Sequence, residues 1–314
     1  MMSISFSQIK YVTALVKTGS FSEAAKECFV TQSTLSTMIK RLENHLDLKL
    51  FDRQKKPIEL TTEGKKLIHQ FKILENEYEN LFELFNETKG DFHGTLKIGI
   101  IPTLAPFLLP LFLDKINVKY PNLNLEINEI TTNEIQNRLR LRDIDVGLIS
   151  IPIDDEELDQ ISLFKEEFLV YDVREQSPKT KRYKIDDIDI TKLWLLEESH
   201  CLSSQIGKIC QLKNDWDPDG NVKLQNGSIL SLLELVKLKK GITLLPKLAT
   251  LNDIIEKQYI FKLEDPVPVR EIGIVTLKDF LKKKSFSILK EEIVASITPI
   301  LSLEGIRSVD IEPF

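Results

Sequence analysis

The sequence predicts an all-α N-terminal third that includes one long helix, followed by an α/β region folded as two lobes. Three observations predict it. Cap residues and apolar spacing mark three short helices within the first sixty residues, and a run without Gly or Pro from Lys65 to Lys89 marks the long one. From Gly94 onward, short apolar runs alternate with helical patterns. A length of 314 residues leaves room for two or three domains of roughly 100 to 150 residues each. With 42% apolar and 29% charged residues, the chain has the composition of a folded globular protein rather than a disordered one.

Taken in order, Ser5 with Gln8 and Ser20 with Glu23 each fit a capping box, in which a side chain at either end satisfies a free backbone N–H of the other. Phe6, Ile9, Val12 and Val16 give the first helix one apolar face. The second, from about Phe21 to Cys28, packs through Phe21, Ala24, Ala25 and Cys28. Thr31 caps the third, whose apolar face is Leu35, Ile39 and Leu42. Its opposite face carries Gln32, Ser33, Thr34, Ser36, Thr37, Lys40 and Arg41. A tight "FVT" turn precedes that helix, which is the spacing of a helix-turn-helix. Short hydrogen-bonding groups and Gln then stand where a recognition helix meets base edges.

Lys49, Arg53, Lys55 and Lys56 surround a Pro-containing hairpin and are expected along phosphates. Together these features predict a winged helix-turn-helix over residues 1–60. That segment holds nine Lys and Arg against six Asp and Glu, a local +3, so the remainder of this −6 chain carries −9.

Residues 61–93 read as a linker and dimerisation helix. Leu67, Phe71, Leu74, Tyr78, Leu81 and Phe85 are spaced 4, 3, 4, 3, 4, the seam of a coiled coil. A dimer formed there supplies the second recognition helix that an inverted-repeat DNA site needs.

In residues 94–314, "TLKIGII", "LNLEINEI", "DVGLISI", "EFLVYDV", "KLWLLEE", "NVKLQN" and "REIGIVTL" read as strands. Helices are expected at about 104–119, 133–141, 228–239 and 286–300. The expected lobes are 94–165 with 268–314, and 166–267. Open α/β sheets bind ligands beyond the carboxyl ends of their strands, where Thr103 and Thr132 fall; each also reads as a helix N-cap.

Several classes are excluded or disfavoured. "FLLPLFL" is far too short to span a bilayer and the start lacks a signal-peptide pattern, so a cytoplasmic location and no membrane partner are expected. Three cysteines do not make a secreted disulfide framework. Four scattered histidines and no C-x-x-C or H-x-x-x-H cluster give no metal site, and no cofactor motif is present. For Cys201 and Cys210 the residues alone leave open a buried filler role, a Cys/His nucleophile of an enzyme, or a redox pair; Cys28 reads as filler.

The stretch "GSFSEAAKECFVTQSTLSTMIKRLENHLDLKLFDRQKKPIELTTEG" resembles the DNA-binding domain of LysR-type transcriptional regulators, through Ala24, Ala25, Gln32, Ser33, Leu35, Ser36, Ile39, Leu42, Glu43, Leu50, Phe51, Arg53, Leu60, Thr61 and Gly64. Here "STMI" stands where the family usually has "SxQI". The resemblance implies double-stranded promoter DNA and RNA polymerase as partners, a homo-oligomer that is dimeric through the linker helix and tetrameric overall, and a periplasmic-binding-protein-like effector domain. It implies no enzyme.

"GTLKIGIIPTLAPFLLP", "EITTNEIQNRL", "LLEESHCLSSQIGKIC", "GITLLPKLA" and "PVREIGIV" are similar to segments of the OxyR-type peroxide sensors, a branch of that family. This second resemblance implies that hydrogen peroxide oxidises Cys201, that Cys210 resolves the product as a disulfide, and that Thr103, Thr132, His200 and Ser204 line the pocket. Ser203 and Ser204 replace the Arg-Asp pair common in that branch. The alternative function is a regulator that binds a small organic effector in the cleft between the lobes. If 201–210 is helical, the thiols are separated by about 13.5 Å of rise and half a turn, beyond the roughly 7 Å Cα limit for a disulfide. Bond formation then requires remodelling, and the pocket must favour the Cys201 thiolate.

Overall fold

The computed structural model describes residues 4–88, 94–174, 182–196, 201–212, 228–251, 255–280, 282–301 and 305–313. The chain divides into two compact units, residues 1–93 and 94–314.

In the first unit, α1 (Phe6–Thr18), α2 (Phe21–Glu27) and α3 (Gln32–Leu46) bury Ile9, Val12, Leu15, Ala24, Ala25, Leu35, Ile39 and Leu42 against one another. Ser5 and Gln8 form the expected capping box. Ser20 and Glu23 do not: Ser20 makes no side-chain cap, its N–H is taken by Thr18 Oγ1, and Glu23 pairs with Lys26 at 2.9 Å. Thr18 therefore supplies the side-chain partner at that corner.

A two-stranded antiparallel wing, β1 (Phe51–Asp52) and β2 (Glu59–Leu60), follows α3. Its anchor is Glu43, whose Oε1 accepts from the Leu50 and Phe51 N–H groups at 2.9 and 3.3 Å. The long helix α4 (Thr62–Thr88) spends the first part of its apolar seam on its own domain. Phe71 is buried and Leu67 packs on the core, while the Tyr78 ring stacks on Phe6 at 3.6 Å. Leu74, Leu81 and Phe85 remain exposed.

The second unit opens with β3 (Gly94–Ile100), α5 (Ala105–Lys119), β4 (Leu123–Glu129), α6 (Thr132–Arg140) and β5 (Val146–Ile151). The strands run parallel, β3 lying between the other two, and Leu96, Ile98, Val146 and Leu148 are fully buried. A Cβ on Gly147 would lie 2.4 Å from Ile135 Cγ2, so glycine there lets α6 approach β5 and fixes where that helix begins.

Then comes β6 (Leu158–Asp172), a single 15-residue strand where only 167–173 was expected. Its first half pairs with β10 (Val267–Leu277); its second half pairs with β8 (Ile242–Pro246) and β9 (Ile260–Leu263). The long strands β6 and β10 thus carry the sheet from one lobe to the other, in the order β4-β3-β5-β10-β6-β9-β7, where β7 is Arg182–Tyr183. The helices α7 (Cys201–Ile209), α8 (Ile229–Lys239) and α9 (Lys283–Ile297) and the strand β11 (Ser308–Asp310), which pairs with β10, complete the unit. Of the strand expected at 192–198, residues 192–196 hold only the end of a 3-10 turn and one bridge, Leu193 to Ile242, and 197–198 lie outside the described residues. The strand expected at 221–226 lies outside the described residues.

Candidate thiol site and DNA-binding face

Two helices start at the carboxyl ends of β3 and β4, and neither Thr103 nor Thr132 caps them. The N-cap of α5 is Leu104, and that of α6 is Thr131, whose hydroxyl accepts from Glu134 N. Thr103 and Thr132 are nonetheless buried, at 1% and 2% exposure, and the hydroxyls of both lie near enough to Cys201 to favour its thiolate form. Cys201 is the first residue of α7 and is 2% exposed.

Behind Thr103 lies a buried ion pair that sequence reasoning missed. Arg270 on β10 donates from Nε and Nη2 to Glu166 Oε1 at 3.0 and 2.8 Å, both side chains being fully buried. Glu166 Oε2 accepts from Leu248 N at 2.8 Å. Arg270 Nη1 donates to Thr103 Oγ1 at 3.3 Å, so the hydroxyl oxygen of Thr103 is already engaged as an acceptor. The available signal was a charge inside an apolar strand: "VREIGIV" and "KEEFLVY" each place a charged group where the pattern calls for core.

Burial pushes the Cys201 thiol above the ordinary value. The Arg270 charge, the Thr132 hydroxyl, the Leu202 N–H and the Thr103 hydroxyl pull the other way without outweighing it. Burial thus acts against the expected balance in favour of the thiolate, which Arg270 and the neighbouring hydrogen-bonding groups support. Cys210 is half-buried, and desolvation pushes its thiol up to about 12. Both cysteines are free.

The segment between them is helical to its end. Cys210 N donates to Ile206 O at 2.9 Å, continuing the α7 ladder, so about 13.5 Å of rise separates the two thiol-bearing residues. The helix closes on Leu212 N to Gly207 O and Gln211 N to Lys208 O, with Gln211 at φ 51°. That left-handed cap costs a non-glycine residue roughly 1 to 2 kcal/mol. Gly207 adds a weak point, and a Cβ there would meet nothing within 4 Å.

Of the other expected pocket residues, His200 lies outside the described residues, and Ser204 is half-buried with no hydrogen bond among them. Ser203 donates to Leu196 O at 2.7 Å and fixes the start of α7. Gln205, also missed, is fully buried and donates to Ser150 Oγ and Ile311 O at 3.1 and 2.8 Å. It ties α7 to β5 and to the C-terminal segment.

In the first unit, the face of α3 opposite its core presents Gln32, Ser33, Thr34, Thr37, Lys40 and Arg41 as exposed residues and Ser36 as a half-buried one. Thr31 Oγ1 caps the helix at Thr34 N, 3.2 Å, and contacts the Ser33 and Thr34 hydroxyls. Lys40 and Arg41 have no ion pair among the described residues. Arg53 is held by Glu43 Oε2 at 2.8 Å and lies over the Phe21 ring, so it braces the wing with 39% of its side chain exposed. Lys55 pairs with Glu59 across the wing at 2.6 Å; Lys56 and Lys49 are exposed.

No described helix is long and apolar enough to cross a membrane, and no group of three or more described His, Cys, Asp or Glu residues is placed to hold a metal ion.

Comparison with known proteins matches residues 6–65 to the model "Bacterial regulatory helix-turn-helix protein, lysR family" and residues 89–294 to "LysR substrate binding domain". The chain is 30% identical over 302 residues to the HTH-type transcriptional regulator EstR of Acinetobacter baylyi, covering 95% of this chain and 98% of that one. It is 29% identical over 270 residues to the DNA-binding transcriptional dual regulator OxyR of Escherichia coli, covering 85% and 87%. A full-length OxyR variant from Pseudomonas aeruginosa has the same fold, with a TM-score of 0.77 at 24% identity over 93% and 95% of the two chains.

Proposed function

The chain belongs to the LysR family of bacterial transcriptional regulators, a DNA-binding family and not one of enzymes, and from that premise we propose that it senses hydrogen peroxide through Cys201 and Cys210. The observation that carries the proposal is the convergence of Thr103, Thr132 and Arg270 on one buried thiol at a helix N-terminus. In the first step the Cys201 thiol and hydrogen peroxide give the sulfenic acid and one water. In the second, the Cys210 thiol attacks that sulfur, forming the disulfide and releasing a second water. Proton loss from Cys201 accompanies peroxide entry, because burial disfavours the thiolate and only the thiolate is nucleophilic.

Disulfide closure requires α7 to unwind, since its two ends are too far apart as a helix. Gly207 and the Gln211 cap lower the cost of unwinding, and Gln205 passes it to Ser150 and Ile311. The change in the effector domain then alters how paired helix-turn-helix units sit on promoter DNA. Pairing uses the exposed Leu74, Leu81 and Phe85 of α4, and the full assembly is a tetramer that works with RNA polymerase in the cytoplasm.

A second reading is a LysR-type regulator that answers a small organic effector in the cleft between the lobes. The upward push of burial on the Cys201 thiol favours it. Titrating reduced protein with stoichiometric peroxide while footprinting promoter DNA separates the two. A footprint that shifts with peroxide, and fails to shift in Cys201→Ser, supports the sensor; a footprint indifferent to peroxide supports the effector reading.

A further inference from the structure

We infer that the outer face of the second lobe carries a binding site for a small organic anion with an apolar body, separate from the thiol pocket. The site is a solvent-open groove of about 470 Å³, within the size range of small-molecule pockets. Leu169, Lys262 and Arg182 stand in register on adjacent strands β6, β9 and β7, so their side chains share one face. Lys257 and Lys247 add two more cations around that floor. Four positive side chains therefore surround Leu169, Ile260 and Leu251 in a chain whose net charge is −6.

Arg182 lies opposite Lys262 on the neighbouring strand, so the two cations share one face of the groove. Lys247 is offset by Glu167 at 3.2 Å, while Lys257 and Lys262 have no ion pair among the described residues. An anion there pairs with Lys257 and Lys262, and the apolar floor takes a ring or chain that a bare inorganic ion lacks. The groove is distinct from the thiol site because β6 alternates. Glu166 turns inward to Arg270, whereas Glu167 and Leu169 turn outward to the groove.

The test is calorimetric titration of reduced full-length protein with phthalate, inorganic phosphate and neutral benzamide. We expect saturable phthalate binding in the wild type and unchanged binding in Cys201→Ser. The double variant Lys257→Gln, Lys262→Gln is expected to bind at least about tenfold more weakly, because each loses a charge-assisted contact. Phosphate and benzamide are each expected to bind at least about tenfold more weakly than phthalate, since each supplies half of the recognition. Absence of saturable phthalate binding, equal binding by the double variant, phosphate binding as tight as phthalate, or loss of binding in Cys201→Ser would each overturn the assignment.

Discussion

Thr103 stands between Arg270 and Cys201: its hydroxyl oxygen accepts from Arg270 Nη1 at 3.3 Å, and the same hydroxyl favours the thiolate form of the buried Cys201. The arrangement brings the influence of a positive charge to the thiol through a neutral group. Glu166 keeps that charge paired in the absence of a thiolate.

Replacing Thr103 by Val removes the hydroxyl and keeps the shape. A hydrogen bond to a charged sulfur is worth about 1.5 to 3 kcal/mol, so the Cys201 pKa should rise by roughly one to two units. In a Cys210→Ser background, iodoacetamide alkylation measured against pH should shift to higher pH by that amount. An unmoved profile would mean that Thr103 does not act on the thiolate.

Removing Arg270 has a different signature. Arg270→Ala leaves Glu166 as an unpaired buried charge, which costs about 3 to 5 kcal/mol. Urea unfolding of the protein should show a loss of that size, and the double variant Arg270→Met, Glu166→Leu should recover most of it without restoring Cys201 reactivity.

Gly207→Ala tests the remodelling of α7. The alanine methyl enters open space and favours the helix by about 1 kcal/mol. If the helix must unwind for the disulfide to form, stabilising the reduced helical state should make the redox potential of the couple less negative by about 20 mV, at 30 mV per 1.4 kcal/mol. Equilibration against glutathione measures it, and an unchanged potential would separate helix stability from oxidation.

Alkaline stability follows from the thiols. Their folded-state pKa values lie above the unfolded value of 9.0, so the unfolded chain gives up protons first as pH rises. The stability they contribute is complete below pH 9 and is lost through the interval up to about 12 for Cys210. Chemical denaturation of reduced protein between pH 8 and pH 11 should show a falling limb that is shallower in Cys210→Ser.

On the DNA-binding side, Phe29 occupies the helix-turn-helix corner at φ 55° with 94% of its surface exposed. Asn tolerates the left-handed region better than Phe, and almost no burial is lost on substitution. Phe29→Asn should raise the stability of the N-terminal domain by about 0.5 to 1 kcal/mol, seen as a higher melting temperature; a lower one would show that the ring contributes packing.

Local signals made the first unit largely readable. Most of its helix caps and the apolar faces of α1 to α3 depend on residues close in sequence. The Ser20 capping box failed because Thr18, two residues earlier, competes for the same N–H. The α4 seam was read as wholly intermolecular because periodicity cannot say which partner covers a face; Phe71 and Tyr78 serve the helix's own domain. Arg270 and Glu166 are 104 positions apart, and only the antiparallel register of β6 with β10 makes them neighbours. The upward push on the Cys201 thiol was equally hidden, because it depends on burial, which no local pattern reports.

The central claim is tested most directly by peptide mapping under non-reducing conditions after one equivalent of hydrogen peroxide. The account predicts a Cys201–Cys210 disulfide in the wild-type protein, sulfenic or sulfinic acid at residue 201 in Cys210→Ser, and reduced Cys210 in Cys201→Ser. A wild-type protein whose Cys201 stays a free thiol, or whose oxidised Cys201 never bonds to Cys210, would contradict it.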